Sequence, residues 1–449
     1  MNIKDNAFNI CILIFVLVTI LPPTIQGHVV SEALLPVFLL FLLSEKRVDF
    51  SLGDNQFTKI YFLLILSLYL CIIVNDVFRY SDLEKGQIYG TAYKYFSYYL
   101  ILITSFTLSN NKTPRWVLLS LVAVGTIVSL IAILQINNVY GVAGFIDQYY
   151  STATLTSNIK YVEEYRFRAT SVLDSNPHLL GGLLLWPIII LILAIDRVKK
   201  TKYRIFFLSL LIINLVGLSL SLAKTAIIIL ICWFAIYIFI RNKKLFFLYV
   251  IILISSYLLL SFVNSYNLRL GYLVRGFQQL LESNPLDMDS LTERLYYWRT
   301  IINSMDSLEI LVGGGKYLEG QIIAAMINKD SSYIHYLVNG GMFGLMLFLL
   351  LNLKIFANMW LLYRSKIIDN ELKIFVDSSF YYFISALVLF AFSGIGSTYL
   401  KWSFLFWLHL GILFKIRFSV LKVANSDSLT INERQSYNRT KWLLKEEHA

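Results

Sequence analysis

Long apolar runs recur along the whole of this sequence, with short polar stretches between most of them. A helix needs about 20 mostly apolar residues to cross a lipid bilayer. Runs of this kind predict about twelve membrane spans and therefore an all-α polytopic integral membrane protein. The predicted spans are 7–22, 29–43, 58–75, 91–108, 115–136, 178–195, 204–221, 223–240, 245–263, 333–360, 376–394 and 400–416.

The composition excludes the main soluble alternatives. Hydrophobic residues make up 57% of the 449 positions and charged residues only 15%, against about 25% in an ordinary soluble domain. So small a charged fraction cannot solvate a chain of this length, which excludes a soluble multidomain enzyme, a disordered scaffold and a secreted disulfide protein. The three cysteines, Cys11, Cys71 and Cys232, lie inside apolar runs without metal-ligand spacing, so we expect neither disulfides nor a zinc site.

The basic residues indicate an orientation in the membrane. Of the 39 Lys and Arg residues, 24 lie near the N-terminus, in the tail or in short gaps between alternate spans. Lys and Arg in short loops mark the cytoplasmic side, so both termini are predicted to be cytoplasmic. The same alternation predicts two large outer loops, 137–177 and 264–331, and a cytoplasmic tail, 418–449.

The second outer loop has the pattern of short amphipathic helices. Ser290-Leu-Thr-Glu293 matches a capping box, and an apolar series follows it at helical spacing. We expect these helices to lie at the outer membrane–water interface. The apolar series is Leu295, Trp298, Ile302 and Met305, and an earlier one surrounds Leu273, Phe277 and Leu280.

Several basic side chains are predicted at the outer face, in or beside spans. Such charges are costly in a membrane and usually face a cavity or a partner. Each one alone could extend to lipid phosphates or cap a helix. Together they favour an anion site, because arginine pairs well with phosphate oxygens. These residues are Arg166, Arg168, Lys224, Arg294 and Arg299.

Few acidic or imidazole groups share this face. Asp330 precedes the tenth predicted span and His335 follows just over one helical turn later. Asp330 has the alternative role of an N-cap, and His335 that of a packing histidine. Asp174 and Asn176 could likewise cap the sixth span.

Two further patterns carry no predicted chemistry. The stretch Gly313-Gly-Gly-Lys316 lacks the spacing of a phosphate-binding loop. His409 lies inside an aromatic span and is given no role. Nothing in the sequence requires a metal or a cofactor.

A series of short motifs runs in order through residues 160–346. After the large loop, Asp330 and Ser331 precede a stretch that continues through Tyr333-Ile334, Leu337 and Gly341-Met-Phe-Gly344-Leu345. Before it come Arg168-Ala-Thr-Ser…Asp174-Ser-Asn176, Lys224-Thr-Ala226, Arg294-Leu-Tyr-Tyr-Trp298 and the turn Gly313-Gly-Gly315. In this order the motifs resemble the O-antigen ligase/polymerase superfamily of bacterial lipid-linked glycan enzymes. Lys224 replaces the family's arginine, and Asp330 and Ser331 replace the histidine and asparagine of its ligase branch, which favours a Wzy-type polymerase.

The resemblance implies a GT-C-like fold and a reaction at the periplasmic face of the bacterial inner membrane. A growing glycan would move from undecaprenyl diphosphate to a lipid-linked repeat unit, with inversion and without a metal or other cofactor. Fixed cations would stabilise the departing diphosphate, and a carboxylate would accept the proton of the acceptor hydroxyl. Membrane lipids and lipid-linked repeat units are the implied partners; a chain-length regulator is compatible, and nucleic acid is not expected.

The same resemblance implies a role for each site residue. Arg168, Lys224 and Arg294 would stabilise the diphosphate, with Arg166 and Arg299 as further candidates. Asp330 would be the general base, with His335 in reserve. Asp174, Asn176, Trp298 and Tyr333 would contact the substrate.

Three alternatives stay open. A capsule or teichuronic-type polymerase would differ only in its repeat unit, which the sequence does not disclose. A ligase that attaches the glycan to lipid A-core would share the fold and the donor, and the missing histidine argues against it. A transporter of lipid-linked or anionic glycan belongs to a different class. It would be expected to carry mid-membrane charges and an internal repeat, and no repeat of fixed period is visible.

Overall fold

The computed structural model describes residues 3–23, 30–44, 63, 67, 85–150, 169–173, 177–241, 289–315, 318, 331–365, 368, 370–392 and 400–426. Within these ranges all regular structure is helical and no strand occurs. Short 3₁₀ turns cover Val30–Leu34 and Val139–Gly141. The α-helices are α1 Ile3–Ile20, α2 Leu35–Ser44, α3 Lys85–Leu108, α4 Thr113–Ile136, α5 Val142–Tyr150, α6 Pro177–Arg197, α7 Thr201–Ser221, α8 Lys224–Arg241, α9 Asp289–Ser304, α10 Ser307–Val312, α11 Ser332–Arg364, α12 Asn370–Phe392 and α13 Leu400–Ser426.

Seven of the described helices are long and apolar enough to cross a membrane, namely α4, α6, α7, α8, α11, α12 and α13. Three more, α1, α2 and α3, contain shorter apolar stretches. This agrees with the predicted all-α membrane protein. The predicted spans 58–75 and 245–263 lie almost wholly outside the described residues, so the total of about twelve stays a prediction. Helix α13 continues to Ser426, and the first residues of the predicted tail are therefore helical.

Helix α6 lies at the centre of the described bundle, where it packs on α4, α7, α8 and α12. Its leucine and isoleucine side chains are almost all buried. Small residues let the neighbouring helices approach closely, as is common between membrane helices. A Cβ atom added at Gly125 of α4 would fall 2.5 Å from Cγ of Pro187 in α6, and one added at Gly217 of α7 would fall 2.6 Å from Cβ of Ser129 in α4.

Ion pairs join several helices at one end of the bundle, which we call the Arg197 end. Arg197 of α6 pairs with Asp377 of α12, and the ammonium of Lys373 lies 3.2 Å from the same carboxylate. Arg241 of α8 pairs with Asp196 of α6. These three cations were all predicted on the cytoplasmic side, and the structure places them at one end.

Removing the carboxylate of Asp377 should destabilise the bundle strongly. An Asp377→Ala variant would leave Arg197 and Lys373 without their anion in a site where the carboxylate is 7% exposed. Removing one partner of a largely buried ion pair costs about 3 kcal/mol. Unfolding titrations in mixed micelles would measure the loss. The matched control is Asp196→Ala, because the Arg241–Asp196 pair is more exposed and should contribute less than about 1 kcal/mol; equal losses would contradict this assignment.

Helix α11 is broken at Gly341. Its 33 residues would span about 50 Å if straight, which exceeds the thickness of a bilayer. Gly341 has φ 62° and ψ −163°, a conformation that is almost exclusive to glycine. The break divides α11 into a short first half and a longer second half. Bent backbone at membrane depth must be buried in protein or line a cavity, and Gly341 is buried.

Helix α9 buries only part of its apolar series inside the protein. Ile301 is fully buried and Met305 nearly so, whereas Leu295 and Ile302 are both 39% exposed. Its position at the outer membrane–water interface stays a prediction. Trp298 packs beside Ile301 and Met305, and this face lies against Ile334, Leu337 and Val338 in the first half of α11.

Candidate functional site at the Lys401 end

A buried, non-helical segment, residues 169–173, lies among the helix ends opposite the Arg197 end. Every residue of this segment is less than 9% exposed. Ser171 adopts a left-handed conformation with φ 51°, so the chain turns sharply inside the protein. Unpaired backbone groups are expensive when buried, so such a segment needs partners from its surroundings.

These partners come from two helices, α4 and α7. Gln135 at the end of α4 accepts hydrogen bonds at Oε1 from the backbone N–H of Thr170 (3.0 Å) and of Ser171 (2.8 Å), and its Nε2 donates to Oγ1 of Thr170 (3.0 Å). Oγ of Ser171 donates to the carbonyl of Val128 at 2.8 Å, and the N–H of Ala169 donates to the carbonyl of Leu220 at 2.9 Å. The segment is therefore held from both sides.

Lys401, the second residue of α13, supplies a buried ammonium group. Its side chain is only 1% exposed, and Nζ donates to the carbonyl oxygens of Ile20 (3.3 Å), Pro22 (2.8 Å) and Val172 (3.2 Å). A cation suits the carbonyl-rich C-terminus of a helix, here α1. Nζ also lies 6.0 Å from the ring centre of Tyr150. One lysine thus joins α1, α5, the 169–173 segment and α13, and we call this end of the bundle the Lys401 end.

The turn between α7 and α8 brings Lys224 to the same end. Leu222 has φ 50°, and its N–H bonds the carbonyl of Ser219 to close the turn. A Cβ added at Gly181 in α6 would fall 2.4 Å from Cβ of Ala223, so the turn packs directly on the start of α6. Since Leu220 also receives the hydrogen bond from Ala169, the Lys224 turn and the 169–173 segment are neighbours.

A second group of predicted residues lies on α9 and the first half of α11. Trp298 joins the small apolar core between the two helices, while Arg294 is partly exposed and Arg299 is exposed. His335 and Asn339 lie on one face of α11, where the Nδ2 atom of Asn339 is 3.3 Å from Nδ1 of His335 and donates to its carbonyl at 2.9 Å. The packing of α9 therefore brings the Arg294 helix to the His335 helix.

Tyr333 makes contacts inside the bundle. Its hydroxyl donates to the carbonyl of Leu387 in α12 at 3.1 Å, and its ring packs edge-on against Phe348. These contacts fix α11 to α12. Substrate contact by Tyr333 stays a prediction. The substrate would have to contact the part of the ring that does not pack against Phe348.

The two glycine-rich stretches of the sequence meet each other. The N–H of Gly314 donates to the carbonyl of Val338 at 2.8 Å. This carbonyl lies three residues before the break in α11 and so gains a hydrogen-bond donor there. A Cβ at Gly341 would fall 2.4 Å from the carbonyl carbon and oxygen of Leu311. A Cβ at Gly313 would fall 2.6 Å from the carbonyl carbon of Asn339. We call this mutual contact the glycine clasp, and only residues without a Cβ fit it.

The capping box of this region belongs to α10. The carboxylate of Asp306 accepts from the N–H of Glu309 at 2.7 Å, and Glu309 Oε2 accepts from the N–H of Asp306 at 2.9 Å. This pair fixes the start of the helix that leads into the glycine clasp. The predicted capping box at 290–293 falls in the first turn of α9, and its role stays a prediction.

Five of the predicted site residues lie outside the described part of the chain: Arg166, Arg168, Asp174, Asn176 and Asp330. The earlier amphipathic stretch at 273–280 lies outside it as well. In sequence, Arg168 directly precedes the anchored 169–173 segment and Asp174 directly follows it. Asp330 directly precedes Ser331, whose hydroxyl donates to the carbonyl of Phe390 at 3.3 Å.

Sequence reasoning missed Lys401 and Gln135. Both lie at the ends of apolar runs, where a polar side chain is usually solvated, and no local pattern shows that they turn inward. Among the residues that the structure describes, no group of three or more His, Cys, Asp or Glu side chains could hold a metal ion.

No protein-family model matches the sequence, and no curated protein matches it. The resemblance to the O-antigen ligase/polymerase superfamily therefore depends on the motifs in residues 160–346 alone.

Proposed function

We propose that this protein is a membrane glycosyltransferase that polymerises a surface polysaccharide such as O-antigen from polyprenyl-diphosphate-linked repeat units. The observation that carries the proposal is the anchored 169–173 segment. Its neighbours in sequence are Arg168 on one side and Asp174 on the other, and the Lys224 turn packs beside it. Such anchoring is what a site for a diphosphate requires, because cations stabilise a transition state best when they are already in position.

The proposed reaction is a displacement at the anomeric carbon of the donor sugar. The acceptor hydroxyl oxygen forms the new glycosidic bond while the bond from the anomeric carbon to the phosphate oxygen breaks. The diphosphate leaves with the bonding electrons, and its growing negative charge is stabilised by Arg168, Lys224 and Arg294, with Arg166 and Arg299 nearby in sequence. The carboxylate of Asp330 accepts the proton of the acceptor hydroxyl.

The α9–α11 contact supports this assignment. It joins α9, which carries Arg294, to α11, whose first residue is Ser332, two positions after Asp330 in sequence. Arg299 lies on the exposed side of α9. In this proposal the site faces the periplasm of the bacterial inner membrane.

Asp330→Asn and Arg294→Ala should each convert a polysaccharide ladder into single repeats. Loss of a general base or of a charge-stabilising cation slows the reaction by roughly 10²–10⁴-fold, which is enough to stop polymerisation in cells. Gel analysis of lipopolysaccharide from cells that carry each variant would measure this. Arg204→Ala is the matched control, since Arg204 is an exposed cation at the Arg197 end of the bundle.

Two other gel patterns would change the assignment. An unchanged ladder in both variants, with protein present in the membrane, would contradict the site. Loss of the ladder together with all single-repeat attachment would favour a ligase that transfers the glycan to lipid A-core.

The break in α11 favours a second candidate, transport of a lipid-linked or anionic glycan. Broken helices often line substrate sites in transporters. The two functions can be separated in proteoliposomes that contain a fluorescent lipid-linked oligosaccharide. A transporter would move the label across the bilayer without joining sugars, whereas a polymerase would lengthen the glycan without net movement.

A further inference from the structure

Three large aromatic side chains are exposed on α5 and on the turn before it. Tyr140 is fully exposed, and Phe145 and Tyr149 are 55% and 53% exposed. Phe145 lies three and four residues before Gln148 and Tyr149, so the three side chains share one outward face of α5, and Gln148 is exposed as well. We call Tyr140, Phe145, Gln148 and Tyr149 the α5 platform.

The length of α4 sets the depth of the platform relative to the membrane. Helix α4 has 24 residues and spans about 36 Å, which exceeds the roughly 30 Å of a bilayer core. Lys112 and Arg115 are exposed at its start, where cations keep to the headgroup level. Helix α5 begins beyond the other end of α4, so the platform lies at or beyond the opposite headgroups. Exposed aromatic patches outside the hydrocarbon core are typical of binding surfaces.

The turn before α5 holds Tyr140 in a strained conformation. Asn138 and Tyr140 have φ values of 46° and 52°, in the left-handed region that residues other than glycine rarely adopt. Asn138 fixes the turn, because its Oδ1 accepts from the N–H of Ala143 and its carbonyl from the N–H of Gly141, both at 3.3 Å. The left-handed conformation costs a tyrosine about 1–2 kcal/mol. Strain of this kind is frequent at binding sites, and here it accompanies a fully exposed ring.

Helix α5 is attached directly to the Lys401 end of the bundle. Ile146 is 1% exposed, and the hydroxyl of Tyr150 donates to the carbonyl of Leu21 at 2.9 Å. The ring centre of Tyr150 lies 6.0 Å from Nζ of Lys401 and 6.2 Å from the ring centre of Phe145. The platform is therefore continuous with the end of the bundle that carries the proposed diphosphate site.

The side chains of the platform suit a sugar better than a lipid chain. The rings of Phe145 and Tyr149 lie 4.8 Å apart between centres, with their planes 41° apart. A sugar ring has a face of C–H groups that packs on aromatic rings, and its hydroxyl groups need hydrogen-bond partners. The phenol of Tyr149 and the amide of Gln148 provide donors and acceptors beside the rings, which a hydrocarbon chain would leave unused. Access is open, since a Cβ added at Gly141 or Gly144 would have no atom within 4 Å.

We propose that the α5 platform binds sugar residues of the growing glycan beside the reaction site. The inference rests on the proposed function, which supplies a glycan at the Lys401 end. A glycan held on the platform stays at a high effective concentration near the reaction site between additions. It is therefore extended more times before it dissociates.

A Phe145→Ala/Tyr149→Ala variant should still join repeats, but its ladder should shift to shorter chains. The matched control is Tyr203→Ala/Phe206→Ala, because these side chains are 52% and 54% exposed and lie near the start of α7, at the Arg197 end. The control should keep the wild-type ladder. An unchanged ladder from Phe145→Ala/Tyr149→Ala would overturn the proposal. Collapse to single repeats at normal protein levels would also overturn it, because the rings would then belong to the reaction itself.

Cysteine labelling of the full chain in nanodiscs tests the platform separately from the reaction. A Gly144→Cys variant, with Cys11, Cys71 and Cys232 replaced by serine, places a thiol beside both rings and keeps every platform side chain. A charged maleimide should label it much faster than an Ile212→Cys variant, because Ile212 is 53% exposed near the middle of the apolar helix α7 and should face lipid. Equally slow labelling would place the platform in lipid and overturn the proposal.

The same labelling shows whether a glycan occupies the platform. Polysaccharide released from the host cell surface by mild acid, at about four times its dissociation constant, should slow labelling of Gly144→Cys about fivefold by mass action. Adding Phe145→Ala/Tyr149→Ala should abolish the slowing, and Arg115→Cys, exposed at the far end of α4, should not be slowed. No slowing at Gly144→Cys would overturn the proposal. Slowing there, combined with a normal ladder from Asp330→Asn and Arg294→Ala, would support the platform and contradict the proposed reaction site.

Discussion

A Lys401→Met variant should lose almost all polysaccharide polymerisation while the Arg197 end of the bundle stays intact. Methionine keeps the length of the side chain but removes the ammonium that donates to the carbonyls of Ile20, Pro22 and Val172. The 169–173 segment then loses its attachment to α13, and misplacing catalytic groups by about 1 Å slows an enzyme by roughly 100-fold. The substitution also leaves these three carbonyl oxygens without their charged donor. This should lower the free energy of unfolding by about 3 kcal/mol.

The measurement pairs the polysaccharide ladder with the amount of protein in the membrane. Lys415→Met is the matched control, because Lys415 lies on the same helix but its Nζ contacts the carbonyl of Thr107 at 3.5 Å and the ring of Phe106, and not the 169–173 segment. It should keep its ladder. A normal ladder from Lys401→Met at normal protein levels would show that the 169–173 segment does not need this contact for the reaction.

A Gly341→Ala variant should unfold far more easily than the wild type. Gly341 has the conformation that is almost exclusive to glycine, and the new methyl group would fall 2.4 Å from backbone atoms of Leu311 and 2.5 Å from the nitrogen of Gly313. The atoms that the methyl group would meet are backbone atoms of Leu311 and Gly313, and these cannot rotate away as a flexible side chain could. We expect a loss of about 4 kcal/mol from strain and overpacking together, measured by thermal unfolding in detergent.

Two other glycines separate these causes. Gly141 also has a positive φ, 75°, with no atom within 4 Å of an added Cβ, so Gly141→Ala tests backbone strain alone and should cost about 1 kcal/mol. Gly144 lies in α5 with equally open surroundings, so Gly144→Ala should leave the protein unchanged or slightly more stable. A Gly341→Ala loss no greater than that of Gly141→Ala would mean that the clasp can open.

The helices could be predicted from sequence because each spanning segment is apolar enough by itself. The runs around Val124 and Ile189 became helices close to the predicted bounds for this reason, whereas the helix around Leu408 begins at the predicted residue and continues past the predicted end, 416, to Ser426. The break in α11 could not be predicted, since Gly340-Gly341 inside an apolar run is compatible with a straight helix. Only the approach of Leu311–Gly313 from another part of the chain makes the bend favourable.

The charged residues of the candidate site could be predicted from the sequence. The residues that hold the site in place, such as Lys401, could not. Arg294 and Lys224 attracted notice because charge beside a span is costly. Lys401 has the same chemistry, but its three carbonyl partners come from residues 20, 22 and 172, and no local pattern encodes them.

The reach of Lys401 has a consequence for how the chain is made. Its bond to Ile20 joins residues 381 positions apart, so the last turn of α1 and the 169–173 segment wait for α13 before they are fully paired. At a synthesis rate of about 5–20 residues per second, the delay for α1 is roughly 20–80 seconds, and that for the 169–173 segment is shorter because Val172 and Lys401 are 229 positions apart. During that interval the early helices are already in the membrane with an unfinished polar end. A truncation before residue 400 should therefore be recognised by membrane quality control as incompletely folded, even though most of its helices have been inserted.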